Sequence, residues 1–488
     1  MRFFRRSGSQ ARKAGFGFEQ SLPFCPLMEI QPAGAGTVDP FIVQRPRLAS
    51  RGNSIAAIGF FAAHSLLAVL LRQDPSVATA HAILTCAVAV WALLQWNTLG
   101  IACAASYMAG TDVLWRMTGA HVPWELSKYL VALVCLGGIV RLGRAARWNA
   151  MALTYILALL PSIVVLLETY RGGLREVAQP LSFNLSGPLS LFAGVWYMSQ
   201  LRLTRHDVRK LLGSMIAPLL TIAVITALTT SAATGLTFTD ESSAATSGGF
   251  GPNQVSLALG LGALLSFIIA VDPEAKAWQR LGALILVPFF GVQSALTFSR
   301  GGLYSFAFAF VMAALVSWQD PNTRKWLAIS TGVLTLITAM LIVPRLEKFT
   351  GGALSVRFAD TGPTNRDIIV REDLRLWSEH PILGLGPGGA SFQRRGQSTL
   401  AHTEYSRLLS EHGLFGVIAL AALLSLCVTN VLKRQSADER ALRVAAMLWS
   451  LASMLHVGMR IAAIGLVFSW GCMKSLREPV SASAPEIR

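Results

Sequence analysis

The chain has 488 residues, of which 53% are hydrophobic and only 14% charged. Soluble globular domains carry about 25% charged residues, so the composition excludes that class and reads as a polytopic membrane protein. The formal net charge of +16 is spread around the ends of apolar segments rather than along one face, which argues against a nucleic-acid binder.

Residues 1–52 are rich in Arg, Gly, Pro and Ser and lack a signal-peptide-like apolar stretch, which predicts a disordered basic cytoplasmic tail. Met28 stands as an alternative start to Met1. A membrane span needs about 20 apolar residues. Candidates follow near 53–71, 78–95, 97–115, 128–142, 149–167, 181–199, 211–231, 253–271, 281–298, 301–317, 326–343, 413–432, 441–456 and 459–474. Several are short enough to be half-helices, and the last pair also reads as one bent helix, so the expectation is 12–14 spans. The predicted organisation is transmembrane helices over 53–343, a large polar loop over 344–412, transmembrane helices over 413–474 and a cytoplasmic tail over 475–488.

Short basic loops fix an orientation, because Lys and Arg accumulate on the cytoplasmic side. With the tail inside, alternation puts RLGRAAR (141–147), LRLTRHDVRK (201–210), NTRK (322–325) and KRQSADER (433–440) inside as well. The same alternation puts the 344–412 loop outside. Charged chemistry in such a protein belongs in that loop, since a bilayer core cannot hydrate ions.

Ahead of the loop, Arg116 has Asp112 at i−4 and reads as an ion pair. Arg171 and Arg175, in ETYRGGLRE, add positive charge on the outer side. Asn253 and Gln254, in GGFGPNQVS (248–256), have amides suited to sugar hydroxyls. Arg300, in ALTFSRGG (295–302), falls at the outer end of a span, where an arginine is a functional candidate by default and a snorkelling side chain otherwise.

Within the loop, a helix is predicted from Asn365 to about Glu379, capped by Thr364 and stopped by Pro381. Val370, Leu374 and Trp377 form its predicted apolar face. Arg371 has Asp367 at i−4 and Arg375 has Glu372 at i−3, so both read as surface pairs. Arg366 has no carboxylate in reach on its own helix, and it stands beside the free N–H groups of a helix start. That combination suits phosphate oxygens. PILGLGPGG (381–389) predicts a tight turn, with a phosphate cradle as the other reading. In AHTEYSRLLSEHGLFG, His402 near the helix start is favoured as neutral and able to accept a proton, whereas His412 at the predicted end is favoured as a cation. Glu404 and Glu411 are alternative bases, Glu411 having Arg407 at i−4. The six cysteines (Cys25, Cys86, Cys103, Cys135, Cys427, Cys472) lie in the tail or in apolar segments, and no metal-ligand spacing occurs.

The SRG at a span end, Arg366 before HPILGLGPG, HTEYSRLLSEHGLFG and GPNQVS together resemble the O-antigen ligase and polysaccharide polymerase superfamily, over about 248–421. PWELSKY (123–129) adds to this upstream, and Val370 departs from the Trp common among relatives. The resemblance implies an all-α, GT-C-like polytopic fold in the bacterial inner membrane, its extracytoplasmic loop partly helical. It further implies metal- and cofactor-independent glycosyl transfer from a polyprenyl-pyrophosphate-linked glycan donor to a sugar hydroxyl on a glycan or lipid-linked acceptor. His402 would be the base, with Arg300 and Arg366 holding the pyrophosphate. Ligase and polymerase both fit. The alternative class is a transporter or flippase of lipid-linked glycan, for which internal repeats and midplane charges are expected.

Overall fold

The computed structural model describes residues 51–476 except 170–173, 234–235, 240, 361, 363–365, 396–400 and 434–436. The predicted tail over 1–52 therefore lies almost wholly outside the described residues, as does 477–488.

Helices follow one another with short connections. They are α1 (Arg51–Gln73), α2 (Pro75–Leu94), α3 (Thr98–Met117), α4 (Leu126–Leu142), α5 (Ala150–Ala158), α6 (Ile163–Thr169), α7 (Leu174–Met198) and α8 (Arg205–Ala232). Next come α9 (Pro252–Val271), α10 (Ala277–Leu296), α11 (Arg300–Ser317) and α12 (Pro321–Ile337). A π turn (Thr338–Ile342) leads into α13 (Val343–Thr350), and α14 (Ala353–Ala359), α15 (Arg366–Glu379) and α16 (Ala390–Gln393) follow. The chain closes with α17 (Glu404–Val431), α18 (Ala437–Met454) and α19 (Ala462–Trp470).

Their starts are written in local chemistry. Asp74, Asn97, Asn149 and Asp320 each accept a backbone N–H of the first turn, and Thr204 with Asp207 closes a capping box. A continuous helix passes Val343 and ends at Thr350, where Gly351 and Gly352 take φ of 60° and 86°. Pro344 is tolerated in the first turn of α13, whose preceding π turn already interrupts the hydrogen-bond ladder.

This is an all-α, multi-pass membrane protein. Each predicted span has a helical counterpart, and among the described residues ten helical segments are long and apolar enough to cross a membrane. The remaining counterparts are α3, α7 and α18, which carry more polar residues, and α19, which has nine residues. α9 is 78% buried over its most apolar window and α1 only 17%, so α8, α9, α3 and α19 form the interior. The outer helices turn Ile55, Leu66, Ile83, Trp91, Leu281 and Leu336 outward, as lipid contact requires.

The two ends of the bundle differ. At one end the basic loops meet. Arg205 and Arg209 reach Asp272 at 3.6 and 2.5 Å, and Gln200 bonds the backbone of Arg147. At the same end two short strands, β1 (Arg202–Thr204) and β2 (Lys474–Leu476), pair in parallel. At the other end lie the starts of α4, α9 and α11, the α14–α16 segment and the kinked first part of α17.

Candidate active site

Arg300 is the first residue of α11 and follows a strained turn. Phe298 is buried with φ of 55°, an unusual conformation for a bulky side chain. Its carbonyl accepts from Arg357 Nε at 2.9 Å. The two glycines after Arg300 permit close approach: a Cβ at Gly301 would lie 3.2 Å from that of His456, and Gly302 packs against the Ser256 backbone of α9. Arg300 itself is 11% exposed; it donates to the Gly362 carbonyl at 2.9 Å and lies 3.7 Å from Asp360.

Arg366 opens α15. Its described hydrogen bond runs from Nη1 to Nδ1 of His456, at 3.1 Å. No carboxylate pairs with it among the described residues. Burial and the neighbouring charges of Arg300 and Arg357 hold its pKa below the ordinary range, so three arginines share one small region. Arg371 and Arg375 pair as the sequence predicts, Arg371 with Asp367 and Arg375 with Glu372 at 2.9 Å, with Glu379 added at 2.6 Å. The buried face of α15 differs from expectation. It is Ile369, Asp373 and Leu376, while Leu374 is 42% exposed. The stripe is displaced by one position because Asp373 is drawn inward by Arg394 and by Ser406 Oγ at 2.6 Å.

His402 lies just before Thr403, the N-cap of α17. Burial, then the positive charges of Arg460, Arg366 and Arg394, push its pKa down to about 4, so the imidazole is neutral at pH 7. The two alternative bases are engaged: Glu404 and Glu411 both pair with Arg407, and Glu404 also accepts from the Met459 N–H at 3.1 Å.

The glycine-rich loop is a brace. α17 is kinked at Gly413, with φ of 57° and ψ of −132°. Leu385 and Gly386 donate backbone N–H groups to the carbonyls of Ser410 and Glu411 freed by the kink, each at 3.0 Å, and Leu414 donates back to Pro381 at 2.8 Å. Gly384, Gly386 and Gly388 all take positive φ. The predicted helix end at His412 is thus this kink rather than a solvent-facing terminus. His412 is fully buried, with Nδ1 at 2.6 Å from Ser162 Oγ, and the expected surface cation is corrected accordingly.

Asn253 and Gln254 open α9 at the edge of the same region, with their amide oxygens held by the protein. Asn253 Oδ1 accepts from Ser299 Oγ at 2.8 Å, and Gln254 Oε1 from Arg116 at 3.1 Å. Arg116 keeps the predicted Asp112 pair at 3.0 Å and adds the Arg460 carbonyl and Glu125, the acid of PWELSKY. Arg171 and the Arg175 side chain lie outside the described residues.

Two residues of this region escaped sequence reading. His456 and Arg460 sit in the turn between α18 and α19, and Arg460 donates to the Ala401 carbonyl beside His402 at 2.6 Å. HVGMR (456–460) falls on the boundary of two apolar segments, so its charge reads as belonging to a span end. The rule that an ionisable residue at membrane depth is a functional candidate is the signal that finds it. Among the described residues no group of three or more His, Cys, Asp or Glu is placed to hold a metal ion.

Residues 284–421 match the family model for O-antigen ligase. The matched segment is less than half of the chain. The match runs from α10 through the kink of α17 and includes Arg300, Arg366 and His402. The likeness of this segment is, at family level, to membrane ligases of the glycan-transferring type. No curated protein matches the chain.

Proposed function

We propose that the protein transfers a glycan from a polyprenyl-pyrophosphate donor to a sugar hydroxyl on the outer face of the bacterial inner membrane, without a metal ion. The observation that carries this reading is the pairing of a neutral histidine with arginines that lack full carboxylate neutralisation. Arg366 has a neutral partner, Arg300 has one half-exposed aspartate at 3.7 Å, and both are near enough to His402 or His456 to depress their pKa values. A departing diphosphate needs fixed positive charge, and an alcohol nucleophile needs a nearby base.

In this reading His402 takes the proton of the acceptor hydroxyl as its oxygen attacks the anomeric carbon. The bond from that carbon to the pyrophosphate oxygen breaks, and the electron pair leaves with the diphosphate, whose developing charge Arg300 and Arg366 stabilise. Asn253 and Gln254 border the site as groups for sugar, and Arg171 and Arg175, placed on the outer side by the sequence pattern alone, are offered as groups for phosphate. The outward placement of the 344–412 loop rests on the positive-inside pattern of the four short basic loops.

The test is transfer from a purified lipid-pyrophosphate glycan to an acceptor, in the presence of EDTA. Activity that persists in EDTA and collapses in His402→Ala supports the reading. Activity abolished by EDTA and restored by magnesium overturns the arginine-only mechanism. In a deletion strain, accumulation of long lipid-linked chains marks a ligase, and of single repeat units a polymerase.

A further inference from the structure

His456 lies outside the matched segment, yet it touches one of the arginines proposed to hold the diphosphate and the residue that follows the other. Its Nδ1 is 3.1 Å from Arg366 Nη1, and its Cβ stands over Gly301, the residue after Arg300. An arginine cannot be deprotonated in a protein, so it is the donor in this bond and Nδ1 the acceptor. The ring is therefore in the neutral tautomer with its proton on Nε2. Burial together with the charges of Arg366 and Arg300 supports that state, holding the His456 pKa down at about 4. We infer that His456 is a positioning residue that fixes the Arg366 guanidinium beside Arg300 while leaving its charge unneutralised for the diphosphate of the donor.

The physical case lies in the choice of partner. A long arginine side chain left without a fixed contact loses rotamer order that the bound phosphate must then restore. A carboxylate would hold it better but would cancel the charge the phosphate needs, and removing that carboxylate's grip would oppose binding. A neutral imidazole nitrogen gives direction without neutralisation. Gly301 makes the arrangement sterically feasible, because any side chain there would press on His456. The glycine pair of SRGG thus serves two contacts: Gly302 seats α11 on α9, and Gly301 admits the histidine that orients Arg366.

This inference rests on the proposed donor chemistry, so its test separates the two. Full-length protein carrying His456→Ala, His456→Asn or His456→Asp is compared with Arg366→Ala in the lipid-pyrophosphate transfer assay. Asn retains an acceptor oxygen near the position of Nδ1, and Asp is its isostere with a charge. His456→Ala is expected to lower kcat/KM for the donor by about tenfold, the scale at which losing an orienting contact costs activity. His456→Asn should stay within about threefold of wild type, and His456→Asp should fall at least as far as Ala despite forming the tighter pair. KM for the acceptor should not move. A packing role alone makes Asn and Asp equivalent, and that result overturns the inference, as does wild-type activity in His456→Ala. If Arg366→Ala itself is fully active, the diphosphate reading fails and takes the inference with it. If Arg366→Ala is inactive while all three His456 variants match wild type, only the inference fails.

Discussion

Arg394 holds Asp373 through both Nε and Nη2, at 2.8 and 2.6 Å, with the two side chains 2% and 0% exposed. Ser406 closes the other oxygen of the carboxylate. One acid on α15 thereby ties the helix that carries Arg366 to the segment before His402 and to α17, so the two candidate catalytic groups share a rigid support.

Breaking that tie should unseat the loop. Removing one partner of a buried ion pair costs about 3–5 kcal/mol because the other charge is left uncompensated. Asp373→Ala is therefore expected to lower the unfolding midpoint in detergent and to reduce the amount of folded protein in membranes. Arg371→Ala, whose side chain is 73% exposed, should leave both unchanged. The comparison is read by thermal denaturation of the purified variants, and equal midpoints would place the loop's stability elsewhere.

Arg366 and Arg371 also divide on activity. Losing one electrostatic contact to a transition state costs roughly 10²-fold, which is the expectation for Arg366→Ala. Arg371→Ala should change activity by less than about threefold, in keeping with the small effect of an exposed pair. Arg366→Lys should recover part of the loss, since the charge remains but the planar fork does not. Rates of transfer per folded protein are the measurement.

The pH profile reports on His402. Its pKa in the folded protein is about 4, against 6.5 for an ordinary histidine. A depressed pKa means the neutral, proton-accepting form persists to lower pH. For the free enzyme, kcat/KM should therefore stay level from about pH 8 to pH 6 and decline only as pH approaches 4. An acid limb with its midpoint near 6.5 would show a solvated imidazole and weaken the assignment of His402.

Topology is open to a direct measurement. Ser378 is exposed on α15, and the described native cysteines are buried or partly buried within helices or beside them. Ser378→Cys should react with a membrane-impermeant maleimide in intact spheroplasts, above the wild-type background. Labelling that appears only after lysis would reverse the orientation and move the proposed chemistry to the cytoplasmic side.

Much of this molecule is local and was legible as such. Membrane segments announce themselves because about 20 apolar residues have no other economical place. Arg366 could be singled out from Arg371 and Arg375 because pairing at i±3 and i±4 depends only on the sequence around it. His402 could be placed near a helix start for the same reason.

What the sequence could not supply depends on partners distant along the chain. Asp373 looks like one more surface acid until Arg394 and Ser406 fold against it, and its inward pull turns α15 by one position from the face that hydrophobicity alone predicts. The glycine-rich segment reads as a turn with a phosphate cradle as the other reading, and only the kink at Gly413 gives its N–H groups carbonyls to satisfy. His456, 90 residues beyond Arg366, belongs by sequence to the boundary of two apolar segments. Its role becomes readable only where α11, α15 and the α18–α19 turn converge, because a hydrogen bond is set by distance in space and composition carries no record of it.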